Sequence, residues 1–243
     1  MATNTQKKIL ILAASSDIGK ELTHSLLDEH HKLFLVSRNV EALAPESADT
    51  KTLKIDFYNF EQIQSAFEQA VAFFGQAPDA VICLSGSLIL KPAHLCSEQE
   101  FDDCINANLK AAFATVRSAA KVMKTGGSIV LMSSVAANLG LANHELIAAA
   151  KAGIEGLTRS AAASYAKINL RINAVAPALT ETKLSKRITS NEHALKASTL
   201  MHPLGRIGTP KNIVRAINFL LDTDNDWMTG QTLAVDGGMS RLR

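Results

Sequence analysis

The stretch Lys8-Ile9-Leu10-Ile11-Leu12-Ala13-Ala14-Ser15-Ser16-Asp17-Ile18-Gly19 decides the fold of this chain. Its first part, residues 8–14, is an apolar run with the length of a strand buried on both faces rather than of a helix. Ser15, Ser16 and Asp17 follow, residue types that cap helix N-termini, with Asp17 the expected cap of the helical pattern beyond. A buried strand that turns directly into a helix is the first half of a βα unit.

The same alternation continues to the end of the chain. Short apolar runs at 32–37, 52–57, 80–84, 128–133, 171–176 and 232–236 read as further strands. Helical patterns begin near Asp17, Phe60, Glu98, Asn143, Glu181 and Pro210, the last with Thr209 as a cap and a proline in the first turn. Strands separated by helices predict an α/β fold with a parallel sheet. No linker, repeat or low-complexity segment divides the 243 residues, so a single domain is expected.

Composition narrows the partners. Lys and Arg total 25 against 23 Asp and Glu, a formal charge of +2 with the two signs interspersed, which argues against nucleic acid and anionic membranes. The apolar residues after Lys7-Lys8 are too few for a secretory core. The run from Ala80 to Leu90 is broken by Ser85, Gly86 and Ser87 and is well short of the roughly 20 residues that span a bilayer. Cys83, Cys96 and Cys104 show no Cys-x-x-Cys spacing and no accompanying His cluster, so they read as reduced thiols of a cytoplasmic protein, with no metal site expected.

Two later stretches carry chemistry: Ser133-Ser134-Val135, and Ile147-Ala148-Ala149-Ala150-Lys151. Residues four apart share one face of a helix, so Ile147 and Lys151 face the same way. The spacing from Ser134 to Lys151 resembles the active-site stretch of the short-chain dehydrogenase/reductase family, in which the helix reads Tyr-x-x-x-Lys. A phenol beside an ammonium becomes a usable proton donor near neutral pH. Isoleucine has no proton to give. By the same resemblance Ser134 matches the serine on the substrate oxygen, Lys151 the lysine on the nicotinamide ribose, and Asn108, in Asn108-Leu109-Lys110, the asparagine that completes a water chain to the lysine.

The resemblance implies a doubly wound, Rossmann-like domain with a seven-stranded parallel sheet. Residues 12–19 are similar to the family's phosphate loop, with Ala13 and Asp17 in place of two of its glycines and Gly19 retained; Ser15, Ser16 and Ile18 complete the loop. Val36-Ser37-Arg38 lacks the acidic residue that would bind both ribose hydroxyls of NAD(H), and Arg38 is placed to pair with a 2′-phosphate. NADP(H) is therefore expected in preference to NAD(H). Asp56 matches the aspartate that meets the adenine amino group, and Ser85-Gly86 the end of an Asn-Asn-Ala-Gly turn. Pro177 matches the proline beside the nicotinamide, and Thr182 the threonine that contacts carboxamide or phosphates.

His144, one turn before Ile147, is the expected substitute proton donor, because a neutral imidazole still donates one hydrogen bond. Tyr165 lies on the same predicted helix but roughly 27 Å farther along, and Tyr58 belongs to the adenine side. A lid at 180–204 carries Leu184, Ile188, Leu195, Leu200 and Met201, which fits a small, partly apolar substrate. The helix near 143–166 is rich in small residues, and the resemblance places it in the contact of a homodimer or homotetramer. Three functions are compatible with this pattern: an oxidoreductase acting on a small carbonyl or alcohol, a nucleotide-binding pseudoenzyme serving as sensor or oligomer subunit, and a non-redox eliminase or isomerase.

Overall fold

The computed structural model describes residues 6–242. The apolar run read first forms β1, Lys8–Leu12, and its neighbours follow as β2 (Lys32–Ser37), β3 (Thr50–Lys54), β4 (Ala80–Cys83), β5 (Gly127–Met132), β6 (Leu170–Pro177) and β7 (Thr232–Val235). All six pairings are parallel and the order is β3-β2-β1-β4-β5-β6-β7. The chain leaves β1 toward one edge and returns at β4 toward the other. That reversal opens a crevice beyond the strand C-termini, where ligands of such sheets bind.

Successive side chains of a strand point to opposite faces, and β1 builds two cores in this way. Leu10 and Leu12 pack with Phe34, Val36, Phe67 and Ile154 on one side. Ile9 and Ile11 pack with Leu22, Leu33, Ile213 and Ile217 on the other. The first layer holds α2 (Phe60–Phe74), α4 (Ala111–Val122) and α5 (Glu145–Tyr165); the second holds α1 (Asp17–Asp28) and α8 (Pro210–Leu221). Each such aliphatic side chain, fully buried, contributes roughly 1.5–3 kcal/mol.

Helix ends follow local chemistry, with some departures from expectation. Ser16, not Asp17, caps α1: its Oγ accepts from the Gly19 N–H at 3.1 Å, and Asp17 is the first helical residue. Helix α5 starts at Glu145 rather than Asn143, because Asn143 is held at φ 65°, outside helical space. Strand β3 ends at Lys54 instead of Phe57; its partner β2 stops at Ser37, and the Asp56 N–H turns away to Gln62 Oε1 at 2.7 Å. The helix expected from Glu181 is replaced by turns, then α6 (Lys186–Thr189) and α7 (Glu192–Leu200), with Asn191 accepting from the Ala194 N–H at 2.9 Å to cap the latter. Between α3 (Glu98–Ile105) and α4 the helix widens into a π segment over Asn106–Lys110.

Two residues fix how α1 meets β1. A Cβ on Gly19 would lie 2.4 Å from the Ala14 carbonyl oxygen, so only glycine permits this approach. Ala13, by contrast, sits at φ 61°, in the left-handed region that favours glycine. That backbone costs an L-residue roughly 1–2 kcal/mol, offset in part by the extra unfolded-state freedom of glycine, about 0.5–1 kcal/mol. Ala13→Gly is therefore expected to raise the Tm by about 1–4 °C. A thermal denaturation series checks this; a lowered Tm would show that the Ala13 methyl packs more favourably than its backbone strains.

Candidate active site

A cavity of about 820 Å³ lies at the crevice, walled by residues that follow the strand ends: Ala13 after β1, Ser37 at the end of β2, Ser85 after β4, Ser134 after β5 and Pro177 at the end of β6. At one end, Ser15, Ser16 and Ile18 form the turn into α1, whose free N–H groups and dipole favour an anion. Arg38, exposed at the end of β2, borders this end and has no hydrogen-bonded or ionic partner among the described residues. No carboxylate stands at the preceding position: the Ser37 hydroxyl is buried and lies 2.6 Å from the Ser15 hydroxyl.

Asp17 makes a contact that the sequence does not advertise. Its Oδ2 accepts from the Lys183 N–H at 2.5 Å, tying the first turn of α1 to the start of the lid. Thr182, beside it, borders the cavity, with its Oγ1 3.2 Å from Ser185 Oγ.

At the other end stand Ser134, Ile147 and Lys151. The Ser134 hydroxyl donates to the Pro177 carbonyl at 3.3 Å and accepts from the Ala136 N–H at 3.2 Å. Lys151 is only 7% exposed, and its Nζ donates to the Met132 carbonyl at 2.7 Å. Burial strips the ammonium of water and lowers its pKa from the ordinary lysine value to about 8. Ile147 is 2% exposed and packs with Cys104, Leu146 and Ala150, so an apolar side chain forms the wall one turn before the lysine.

Asn108 lies behind this wall rather than on it, fully buried in the π segment. Its Nδ2 donates to the Cys104 carbonyl at 2.9 Å and to Ser87 Oγ at 3.1 Å, whereas its Oδ1 has no partner among the described residues. A Cβ on Gly86 would meet that Oδ1 at 3.1 Å and Lys151 Nζ at 3.6 Å, so the two polar groups converge at Gly86. An unmatched buried acceptor next to an ammonium is a place for a water molecule.

His144 borders the cavity, but as the residue preceding α5 rather than within its first turn. Its Nδ1 lies 2.8 Å from the Ala142 carbonyl, which can only accept. The one proton of the neutral ring is thereby committed, and Nε2 presents a lone pair. In this tautomer the neutral ring offers a substrate oxygen no proton, and only the protonated ring would carry a donor at Nε2.

Gly19 and Asp56 also lie outside the cavity wall: Gly19 acts through helix packing, and Asp56 is exposed with its Oδ1 accepting from the Tyr58 N–H at 3.1 Å. Phe57 and Tyr58 reach the wall instead. From the lid, Leu184, Ile188 and Met201 border the cavity; Leu195 and Leu200 do not. His202 and Met239 border it as well and were missed, because no motif marks either residue.

A family model described as Enoyl-(Acyl carrier protein) reductase matches residues 12–240. The hydroxynaphthalene reductase-like protein Arp2 of Metarhizium anisopliae (strain ARSEF 549) is 32% identical, covering 96% of this chain and 94% of that protein. Among solved structures, ElxO with NADP bound is similar at a TM-score of 0.88 and 27% identity, over 97% of this chain and 99% of that one. The 4-hydroxyisoleucine dehydrogenase complexed with NADH is similar at a TM-score of 0.90 and 27% identity, over 97% of this chain and 100% of that one. These likenesses run along nearly the whole length of the chain, and the chain belongs to the short-chain dehydrogenase/reductase family.

Proposed function

We propose that this protein binds NADP(H) along the cavity and interconverts a small carbonyl compound and its alcohol. The observation that carries this reading is that one cavity wall holds Arg38 at the β2 end and Ser134 with Lys151 at the β5 end. The residues suit the cofactor: the capped α1 N-terminus for the pyrophosphate, Arg38 for a 2′-phosphate, Lys151 for the ribose, and Pro177 and Thr182 for the nicotinamide end. ElxO supports the same choice of cofactor, while the dehydrogenase solved with NADH shows that the fold also accommodates the other dinucleotide. Arg38→Ala is expected to weaken NADPH binding by roughly 1.5–3 kcal/mol and to leave NADH nearly unchanged. Fluorescence titration of both cofactors measures it, and equal losses would remove Arg38 from the selection.

When bound, the nicotinamide supplies the hydride exchanged with the carbonyl carbon. The protein's own part is to hold the oxygen and supply its proton. Ser134 donates a hydrogen bond to that oxygen, exchanging it for the one now made to the Pro177 carbonyl. With Ile147 where the family resemblance places a phenol, the proton comes from Lys151, directly or through a water held by Asn108 Oδ1. An ammonium with a pKa of about 8 is a competent acid near neutral pH.

The sign of the pH dependence follows from the acid form being the charged one. Carbonyl reduction should be level below pH 8 and fall as pH rises through that value, as Lys151 loses its proton. Ile147→Tyr should raise the rate by about 10²- to 10⁴-fold, the usual worth of a positioned general acid. Both are read from NADPH oxidation over a panel of ketones and aldehydes. A parent rate flat from pH 6 to 10 would take Lys151 out of the proton step, and turnover by Ile147→Tyr alone would favour a nucleotide-binding scaffold.

Assembly belongs to the same proposal. Along α5, Ala150, Ala161 and Ala162 are buried, and a Cβ on Gly153 would lie 2.9 Å from the Leu109 side chain, so part of the small-residue pattern serves packing within the chain. Ala149, Ala152 and Ala163 remain exposed, and Phe113 on neighbouring α4 is 49% exposed. That face is proposed to join a second copy. Sedimentation at micromolar concentration should give a dimer or tetramer, and a clean monomer would remove the interface.

A further inference from the structure

His202 follows α7 and is 3% exposed, yet it is one of the residues bordering the cavity. Its Nδ1 lies 2.7 Å from the Ser198 carbonyl, and because a carbonyl only accepts, Nδ1 carries the proton of the neutral ring. Nε2 then carries a lone pair, and it is buried with no hydrogen-bond partner among the described residues. Met201, Met239, Leu184 and Ile188 also border the cavity, and none offers a strong hydrogen-bond donor.

A buried acceptor without a partner is costly to maintain, and a ligand donor that reaches it recovers that cost. We infer that His202 is a specificity-determining residue, whose Nε2 accepts a hydrogen bond from a hydroxyl group on the substrate, away from the reacting carbon. The substrate class is thereby a hydroxylated carbonyl compound with an apolar skeleton, or the corresponding diol. This rests on the oxidoreductase reading for the reacting carbon only; recognition of the hydroxyl does not require turnover. His144 presents its Nε2 in the same accepting form, which makes two such imidazoles on one cavity wall. They differ in that His144 is partly exposed, whereas His202 is buried.

The test uses matched pairs of ligands: cyclohexanone with 4-hydroxycyclohexanone, and 1-tetralone with its ring-hydroxylated forms. Affinity is measured calorimetrically on the full chain saturated with NADPH, for the parent, His202→Phe and His202→Leu. In the parent, at least one hydroxylated member should bind about 10- to 100-fold more tightly than its partner, the worth of satisfying a buried acceptor. In both variants that ratio should collapse toward one, chiefly through weaker binding of the hydroxylated member. A parent without hydroxyl preference in any pair overturns the inference, whether or not the variants fold. A preference that survives in a folded variant overturns it as well. NADPH oxidation in the same samples reports separately: preference without oxidation sinks the oxidoreductase reading and leaves this one standing, and oxidation without preference does the reverse.

Discussion

The burial of β1 on both faces is the constraint on which the rest of the molecule depends. Leu10 and Leu12 feed one core and Ile9 and Ile11 the other, so no face of this strand is available for a polar residue. Its hydrogen bonds go to β2 on one side and β4 on the other, which places the reversal of chain direction beside its last residue. The turn at Ala13, the start of α1 and the mouth of the cavity follow from where β1 stops. A single polar substitution among these leucines and isoleucines would leave an unpaired group inside a core and disturb both layers together.

Packing around the lysine shows a second use of the same economy of space. Helix α5 approaches the π segment closely because Gly153 has no side chain to hold off Leu109. The widened turn brings Asn108 inward, with its Nδ2 donating to the Cys104 carbonyl one turn earlier. Gly86 leaves the gap at which Asn108 Oδ1 and Lys151 Nζ converge. Two glycines and one irregular helical turn thus set the surroundings of a buried ammonium.

The strands were legible in the sequence to within a few residues, because the central ones, β1, β2, β4, β5 and β6, are short apolar runs that the two-layer architecture buries almost throughout, whereas the edge strands β3 and β7 are only partly buried. Departures occurred where a tertiary partner decides the boundary. Strand β3 ends early because β2 does, and α5 starts late because Asn143 takes a left-handed backbone. The lid was the poorest reading: apolar spacing near Glu181 suggested one helix, and the capping signal at Asn191 marked the true start of the longest helical piece. At the site, residues on contiguous motifs, such as Ser134 and Lys151, were found together on the wall. What spacing alone hid was the direction of hydrogen bonds. The carbonyls of Ala142 and Ser198 set the form of His144 and His202, and neither relation is visible before the backbone is placed.

The carboxylate of Asp17 holds the Lys183 N–H from the first turn of α1, although the two residues are 166 positions apart in the chain. The same helix end is where an anion is best stabilised, and its electropositive field is finite. An anion that settles there meets a negative charge already in residence, and that charge is also the tether of the lid. A side chain standing where the resemblance implies a glycine thus gives this turn a second task, because its carboxylate also anchors the backbone at Lys183.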